Sequence, residues 1–403
     1  MGAIKWSKNQ LPKTDDRRLS LMAKSETDKA RAFHRSFPQY DSTPLHNLKN
    51  AAAEMGISGL YVKDESYRFG LNAFKVLGGS YAIGKFVAQK LNKDISEIDY
   101  DFLTSDEFKA SFPPCTFFTA TDGNHGRGIA WAAKQLGQKA VVLMPKGSTE
   151  TRLNHIKALG AEATIEPLNY DDCVRKAAEL SAKTPSSAVV QDTAWEGYEE
   201  IPGWIMQGYA TMVDEAMEQL NAIGVDQPTH VFLQAGVGSM ASAVTGYLVN
   251  RFHENPPVIA VMECSAAECY YRSAIEGSGE AEVVGGDLAS IMAGLCCGEV
   301  NPTAWDILKN HAAAFVSCED TVSADGMRRL AAPVKGDPSV ISGESGAVGM
   351  GLVDLLLRRG EYPELKEHLG IDEHSRILLI STEGDTDPEL YRSIVWQGAH
   401  SSK

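Results

Sequence analysis

Basic residues are the scarce class in this chain: 38 lysines and arginines stand against 53 aspartates and glutamates, a formal charge of −15 at pH 7. Without a basic surplus there is no electrostatic footprint for nucleic acid or an anionic membrane surface, and neither is expected as a partner. Cysteine is sparse too. Seven in 403 residues make no disulfide framework, and an odd count leaves at least one unpaired. Cys264, Cys269, Cys296 and Cys297 lack zinc-ligand spacing and paired histidines, so no metal site is expected; buried thiols or a redox-sensitive pair are the two readings of this group. Membrane-length apolar runs are missing. Val231 to Asn250 carries no charge, but Gln234, Gly236, Gly238, Gly246 and several hydroxyls interrupt it, so it reads as a buried strand, a glycine turn and a helix. The opening Met1-Gly-Ala-Ile-Lys-Trp-Ser shows no secretory apolar core, and Trp6 stands where a myristoylation signal needs Ser or Thr. The expectation is a cytoplasmic enzyme.

A composition 43% hydrophobic and 23% charged belongs to a globular protein, and 403 residues exceed what one core usually serves, so two domains are expected. Strand and helix patterns alternate. Strands are predicted over 60–62, 113–120, 139–144, 163–166, 187–191, 230–234, 258–263 and 376–381; helices over 128–137, 150–159 and 170–182 lie between several of them. Strands separated by such helices imply an α/β fold, with open, mostly parallel twisted sheets carrying helices on both faces. The polar stretch 92–111 reads as a surface excursion, and 195–204, with Gly197, Pro202 and Gly203, as a crossing between domains.

Lys75 ends Asn72-Ala-Phe-Lys and opens a helix-like Val-Leu-Gly-Gly-Ser-Tyr. A free lysine titrates near ~10.4 and is a poor nucleophile at neutral pH; partial burial between Phe74 and Val76 would release its amine. The alternative is a surface lysine whose stem covers apolar neighbours. Thr121-Asp-Gly-Asn-His125 follows a strand and opens a helix, where backbone N–H groups can face an anion. Asp122 would repel that anion, which suggests proton transfer or recognition of an amino group; helix capping is the equal alternative. Gly236-Val-Gly-Ser-Met240 sits between a strand and a helix and matches the dinucleotide fingerprint, with Glu263 near where a ribose-binding acid would stand. Its N–H groups and the Ser239 hydroxyl suit a lone phosphate monoester equally, so NAD chemistry is the rival from another class. Gly79 to Lys85 has P-loop spacing, but Phe86 replaces the magnesium-holding hydroxyl. Ser381-Thr-Glu-Gly-Asp-Thr-Asp387 ends an apolar strand, and Gly343-Glu-Ser-Gly-Ala347 is a further glycine-rich helix entry.

Taken in order, these motifs resemble the fold-type II pyridoxal-phosphate enzymes, the group of threonine dehydratase, cysteine synthase and the tryptophan synthase β subunit, over roughly residues 40 to 390. The resemblance implies pyridoxal 5'-phosphate as cofactor, with Lys75 as its Schiff-base lysine, Phe74 near the ring and Asn124 on the ring oxygen. It implies Gly236, Val237, Gly238, Ser239 and Met240 around the phosphate, and Ser381, or Thr382 one register away, at the pyridine nitrogen. A neutral hydroxyl there leaves that nitrogen unprotonated more readily than a carboxylate would, which favours elimination. Thr121, Asp122, Gly123 and His125 would form the substrate-carboxylate loop.

Asp122 departs from the group's usual Ser. With Gln191-Asp-Thr-Ala-Trp-Glu-Gly-Tyr198, it is similar to the branch of ammonia-lyases acting on an amino acid with amino groups at both α and β carbons. An acidic pocket of Asp122 and Asp192 suits so cationic a substrate. Lys75 and Asp122 on opposite faces would serve its L- and D-isomers, and Asp192 joins them as a catalytic and substrate-binding candidate. A serine or threonine dehydratase is the alternative within the group. The resemblance further implies residues 1–88 and 205–403 as a large cofactor-binding domain, 89–204 as a small mobile one carrying the Asn-His loop, and a homodimer.

Overall fold

The computed structural model describes residues 2–121 and 123–401. Among these, two sheets organise the chain. The larger uses β1 (Ile4–Lys8), β2 (Leu45–Asn47), β3 (Gly59–Asp64), β8 (His230–Gln234), β9 (Val258–Cys264), β10 (Ala312–Cys318) and β11 (Arg376–Ser381), in the order β1-β10-β9-β8-β11-β3-β2. The smaller uses β4 (Thr116–Ala120), β5 (Lys139–Met144), β6 (Glu162–Ile165) and β7 (Ser187–Val189), in the order β6-β5-β4-β7. All pairs are parallel except the two edges of the large sheet, β1 on β10 and β2 on β3. The expected α/β class and parallel sheets are therefore observed.

The strand orders place the crevices. In the large sheet the order reverses between β8 and β11; in the small sheet it reverses between β4 and β7. Ligands bind beyond the carboxyl ends of strands at such reversals. The loops there are Gly236–Met240 after β8, Thr382–Asp387 after β11, Thr121–His125 after β4 and Gln191–Asp192 after β7. Four of the sequence motifs thus converge through topology alone.

Elements differ from the sequence expectation where a local rule overrides the pattern. Pro113, Pro114 and Cys115 stay outside β4, because proline has no N–H for a ladder. The following helix, Asn124–Gln135, starts a turn earlier than expected. The stretch 92–111 is folded rather than a loose excursion: helices Tyr100–Thr104 and Asp106–Ser111, capped by Asp99 and Ser105, bury Leu103 and Phe108. Within 195–204, Trp195 and Tyr198 close a tight bridge with stacked rings 4.1 Å apart, and Glu200 already begins the long helix Glu200–Ala222. Pro202 fits there because the first helical turn needs no N–H donors. β10 escaped notice because its alanines carry helix propensity directly after helix Pro302–His311.

The loop leading to Lys75 is anchored by buried charge. Arg68, 1% exposed, donates from Nη2 to Glu215 at 2.8 Å and from Nε to Glu65 at 2.8 Å, while Lys63 Nζ reaches Glu215 at 2.8 Å. Removing one partner of such a cluster costs about 3–5 kcal/mol, because the others remain buried and charged. Lys75 itself caps helix Val76–Lys90. No helix among the described residues is long and apolar enough to cross a membrane.

Candidate active site

Two adjoining cavities, of about 220 Å³ and about 50 Å³, share Lys75, Asp192, Val237 and Gly294 in their walls. Lys75 Nζ lies 2.7 Å from Asp192 Oδ2, and the lysine side chain is only 18% exposed. Asp192 is fully enclosed. Its Oδ1 accepts from the Tyr170 hydroxyl at 3.0 Å and from Gln191 Nε2 at 3.2 Å. Burial opposes its charge, yet the Lys75 ammonium, then His125 and the hydrogen bonds from Lys75 and Tyr170 hold the carboxyl well below the usual carboxylate range. Tyr170 is pushed well above the usual phenol value by burial and by the charge of Asp192, which keeps it a donor.

The smaller cavity ends on the turn Gly236–Met240. The first backbone bond of helix Ser239–Phe252 runs from Ser242 N–H to Gly238 C=O at 2.9 Å, so the N–H groups of Ser239, Met240 and Ala241 have no acceptor within the helix. Gly238 has φ 95°, a left-handed conformation that costs most side chains energy. The Ser239 hydroxyl, expected to face a phosphate, instead donates to the Asp192 carbonyl oxygen and accepts from Asn301 Nδ2 at 2.8 Å. One hydroxyl has one proton, so the anion site rests on backbone N–H groups.

Phe74 and Asn124 line the smaller cavity. Phe74 packs on Tyr209, ring centroids 4.7 Å apart. Of the two hydroxyls proposed for the ring nitrogen, Thr382 reaches the cavity wall, whereas Ser381 is turned to Ser342, donating at 2.8 Å. Thr382 accepts from Gln234 at 3.3 Å, which leaves its own proton free to donate. Thr121 and His125 line the larger cavity. Thr121 Oγ1 accepts from Gly123 N–H at 2.9 Å, and His125 Nε2 donates to Val190 C=O at 2.9 Å, with Nδ1 4.0 Å from Asp192. Asp122 lies outside the described residues.

Several wall residues had no role assigned from sequence: Tyr209, Gln234, Ser345 and Glu383 in the smaller cavity, and Tyr170 beside Asp192. Position within a motif pointed only to Glu383 and Ser345; helix Glu200–Ala222 carries no signal that Tyr209 meets Phe74. The rival NAD reading loses its acid. Both Glu263 oxygens accept backbone N–H groups, of Tyr270 at 2.9 Å and Tyr271 at 2.8 Å, so the carboxyl caps the next helix. Cys264 and Cys296 stand with sulfurs 4.0 Å apart, and Cys269 and Cys297 are buried close by.

The family described as "Pyridoxal-phosphate dependent enzyme" matches residues 37–380. A diaminopropionate ammonia-lyase of Salmonella typhimurium is 51% identical over 381 residues, covering 94% of each chain. The holo structure of an Escherichia coli diaminopropionate ammonia lyase superposes with a TM-score of 0.91 at 46% identity, over 99% of this chain and 98% of that one. A second structure of that lyase, in complex with an aminoacrylate-PLP azomethine reaction intermediate, gives 0.89 at 46% identity over the same shares.

Proposed function

Because the chain belongs to the pyridoxal-phosphate dependent enzymes, in the family of the diaminopropionate ammonia-lyases, we propose that it converts 2,3-diaminopropionate and water to pyruvate and two molecules of ammonia. The observation that carries this reading is the Lys75 amine in the shared wall of the two cavities, with a phosphate cradle on one side and an ionised Asp192 on the other. The walls fit pyridoxal phosphate on chemical grounds. The free N–H groups of residues 239–241 suit one phosphate monoester, and the amine of Lys75 suits an aldehyde. The Thr382 hydroxyl suits an unprotonated ring nitrogen, and the buried Ser345 hydroxyl, which has no partner among the described residues, is a second polar atom awaiting one.

When bound, pyridoxal phosphate supplies an electron sink for the charge left at the substrate α carbon. Lys75 holds the cofactor and exchanges the α proton of the L-isomer. Asp122 exchanges that of the D-isomer, a role resting on its place in the Thr-Asp-Gly-Asn-His loop. The first-turn N–H groups of helix Asn124–Gln135 receive the substrate carboxylate. Asp192, kept ionised, is an acceptor and not an acid: it holds the Lys75 ammonium, and it is the group best suited to a second substrate ammonium. A serine or threonine substrate has no second cation for Asp192 to receive. Loss of the β-amino group leaves an enamine that water hydrolyses to pyruvate, releasing the second ammonia.

The enzyme works in the cytoplasm as a homodimer. Residues 89–204, which contain all four strands of the small sheet, form a unit that closes on 1–88 and 205–403. The test is pyruvate release from each isomer separately. Wild type should act on both, and Asp122→Ser should lose the D-isomer by at least ~100-fold, the usual contribution of a positioned base, while keeping the L-isomer. Pyruvate from serine or threonine but from neither diaminopropionate isomer would overturn the substrate.

A further inference from the structure

We propose that Glu383 is a positioning residue: its carboxylate fixes which edge of the Asn124 amide faces the cofactor ring oxygen. This rests on the reading of the smaller cavity as the pyridoxal-phosphate site. Glu383 occupies the turn after β11, is 3% exposed, and lines that cavity together with Asn124. Asn124 Nδ2 donates to Glu383 Oε2, and the other carboxylate oxygen accepts the Ser345 backbone N–H at 3.2 Å. The backbone is held as firmly. Glu383 C=O accepts Gly343 N–H at 2.8 Å, and Glu383 bridges Ala73, two residues before Lys75.

An asparagine amide can present either its carbonyl or its NH₂ group, and nothing in its shape prefers one. A carboxylate only accepts, so Glu383 selects the NH₂ edge and removes the flipped alternative. The NH₂ group has a second proton, which is then available to an oxygen acceptor in the cavity. Two further features are built around this contact. Gly343 leaves room for the Glu383 stem: a Cβ there would stand 2.8 Å from Cγ and 3.2 Å from Cδ. Beside it, Glu344 is buried with Oε1 unpartnered, and burial and then the Glu383 charge push its carboxyl up to about 7, against the pull of Arg152. Glu383, not Glu344, is the carboxyl that accepts from Asn124.

The test compares holoenzymes by absorption spectrum and by affinity for pyridoxal phosphate: wild type, Glu383→Ala, Glu383→Gln, Asn124→Ala and the double variant Asn124→Ala/Glu383→Ala. Glu383→Ala should move the cofactor band and weaken affinity about tenfold, the scale of one charge-assisted hydrogen bond. Asn124→Ala should do the same, and the double variant should go no further. Glu383→Gln, which keeps an acceptor oxygen, should restore most of both readouts. A Glu383→Ala protein with unchanged band and affinity, or a double variant in which the two effects add in full, would overturn the proposal. If Glu383→Ala does not fold, Asn124→Asp decides: a carboxylate facing Glu383 should bind cofactor more weakly than Asn124→Ala does, and equal binding refutes the contact. A wild type that takes up no pyridoxal phosphate refutes the cofactor reading itself, and this inference with it.

Discussion

Replacing Gly238 with alanine tests whether the phosphate turn is built as described. At φ 95° and ψ −4° an alanine pays the left-handed penalty, about 1–2 kcal/mol. Its Cβ would fall 1.9 Å from Tyr270 Oη and 2.7 Å from Cζ, so the tyrosine must move. Tyr270 is fully buried, stacks on Phe315 with ring centroids 6.0 Å apart, and donates to Val237 C=O at 2.9 Å. Overpacking of that kind costs about 1–3 kcal/mol, and the lost hydrogen bond about 1 kcal/mol more. The expected destabilisation is therefore about 3–6 kcal/mol, read by urea unfolding of the cofactor-free protein. Because the same turn supplies the cradle, affinity for pyridoxal phosphate should fall at least ~10-fold. Adding Tyr270→Phe removes the atom at 1.9 Å, so the pair should be less destabilised than the sum of the single variants. A Gly238→Ala protein within ~0.5 kcal/mol of wild type, the ordinary range of an inert substitution, would refute the geometry.

Other expectations follow from the charges around the site. Asp192→Asn removes the negative charge facing Lys75 and the substrate's second ammonium; kcat/KM for both isomers should fall by at least ~100-fold while the cofactor still binds, and a loss confined to one isomer would contradict the role. Glu344 is protonated more readily when folded, its carboxyl lying at about 7 against the ordinary 4.5, so wild-type stability should decline as pH rises from about 4.5 to 7 and then level off. Glu344→Gln should lack this decline and, at pH 8, exceed wild type by on the order of 3 kcal/mol; parallel pH–stability curves for the two proteins would refute the shift.

The motifs were legible because each combines a backbone requirement with a chemical one. Gly238 needs a left-handed turn, Lys75 needs a helix start beside apolar neighbours, and Asn124 needs a strand-to-helix loop. Parallel strands were legible wherever both faces are buried, as in β8 and β11. What sequence pattern did not carry was side-chain direction and partnership across the fold. Ser381 and Thr382 are adjacent in a strand end, and successive residues face opposite ways, so one register step decides which meets the cavity. Ser239 lines the smaller cavity, but its proton goes to a carbonyl 47 residues away in the chain. Tyr170 meets Asp192 because helix Tyr170–Ala182 packs on β4, and β7, which ends shortly before Asp192, pairs with that same strand. Edge strands β1 and β2 were missed because they are short and partly exposed, without the continuous apolar run of a central strand.

The central claim is that Lys75 carries the cofactor. The direct measurement is borohydride reduction of the purified holoenzyme, then digestion and mass spectrometry, with the absorption spectrum recorded beforehand. The account predicts a band near ~410–420 nm, the region expected of lysine-bound pyridoxal phosphate, with the reduced label on the peptide containing Lys75. Lys75→Ala should show neither label nor pyruvate release. A label on another lysine, such as Lys146 in the wall of the larger cavity, or a labelled and active Lys75→Ala protein, would contradict it.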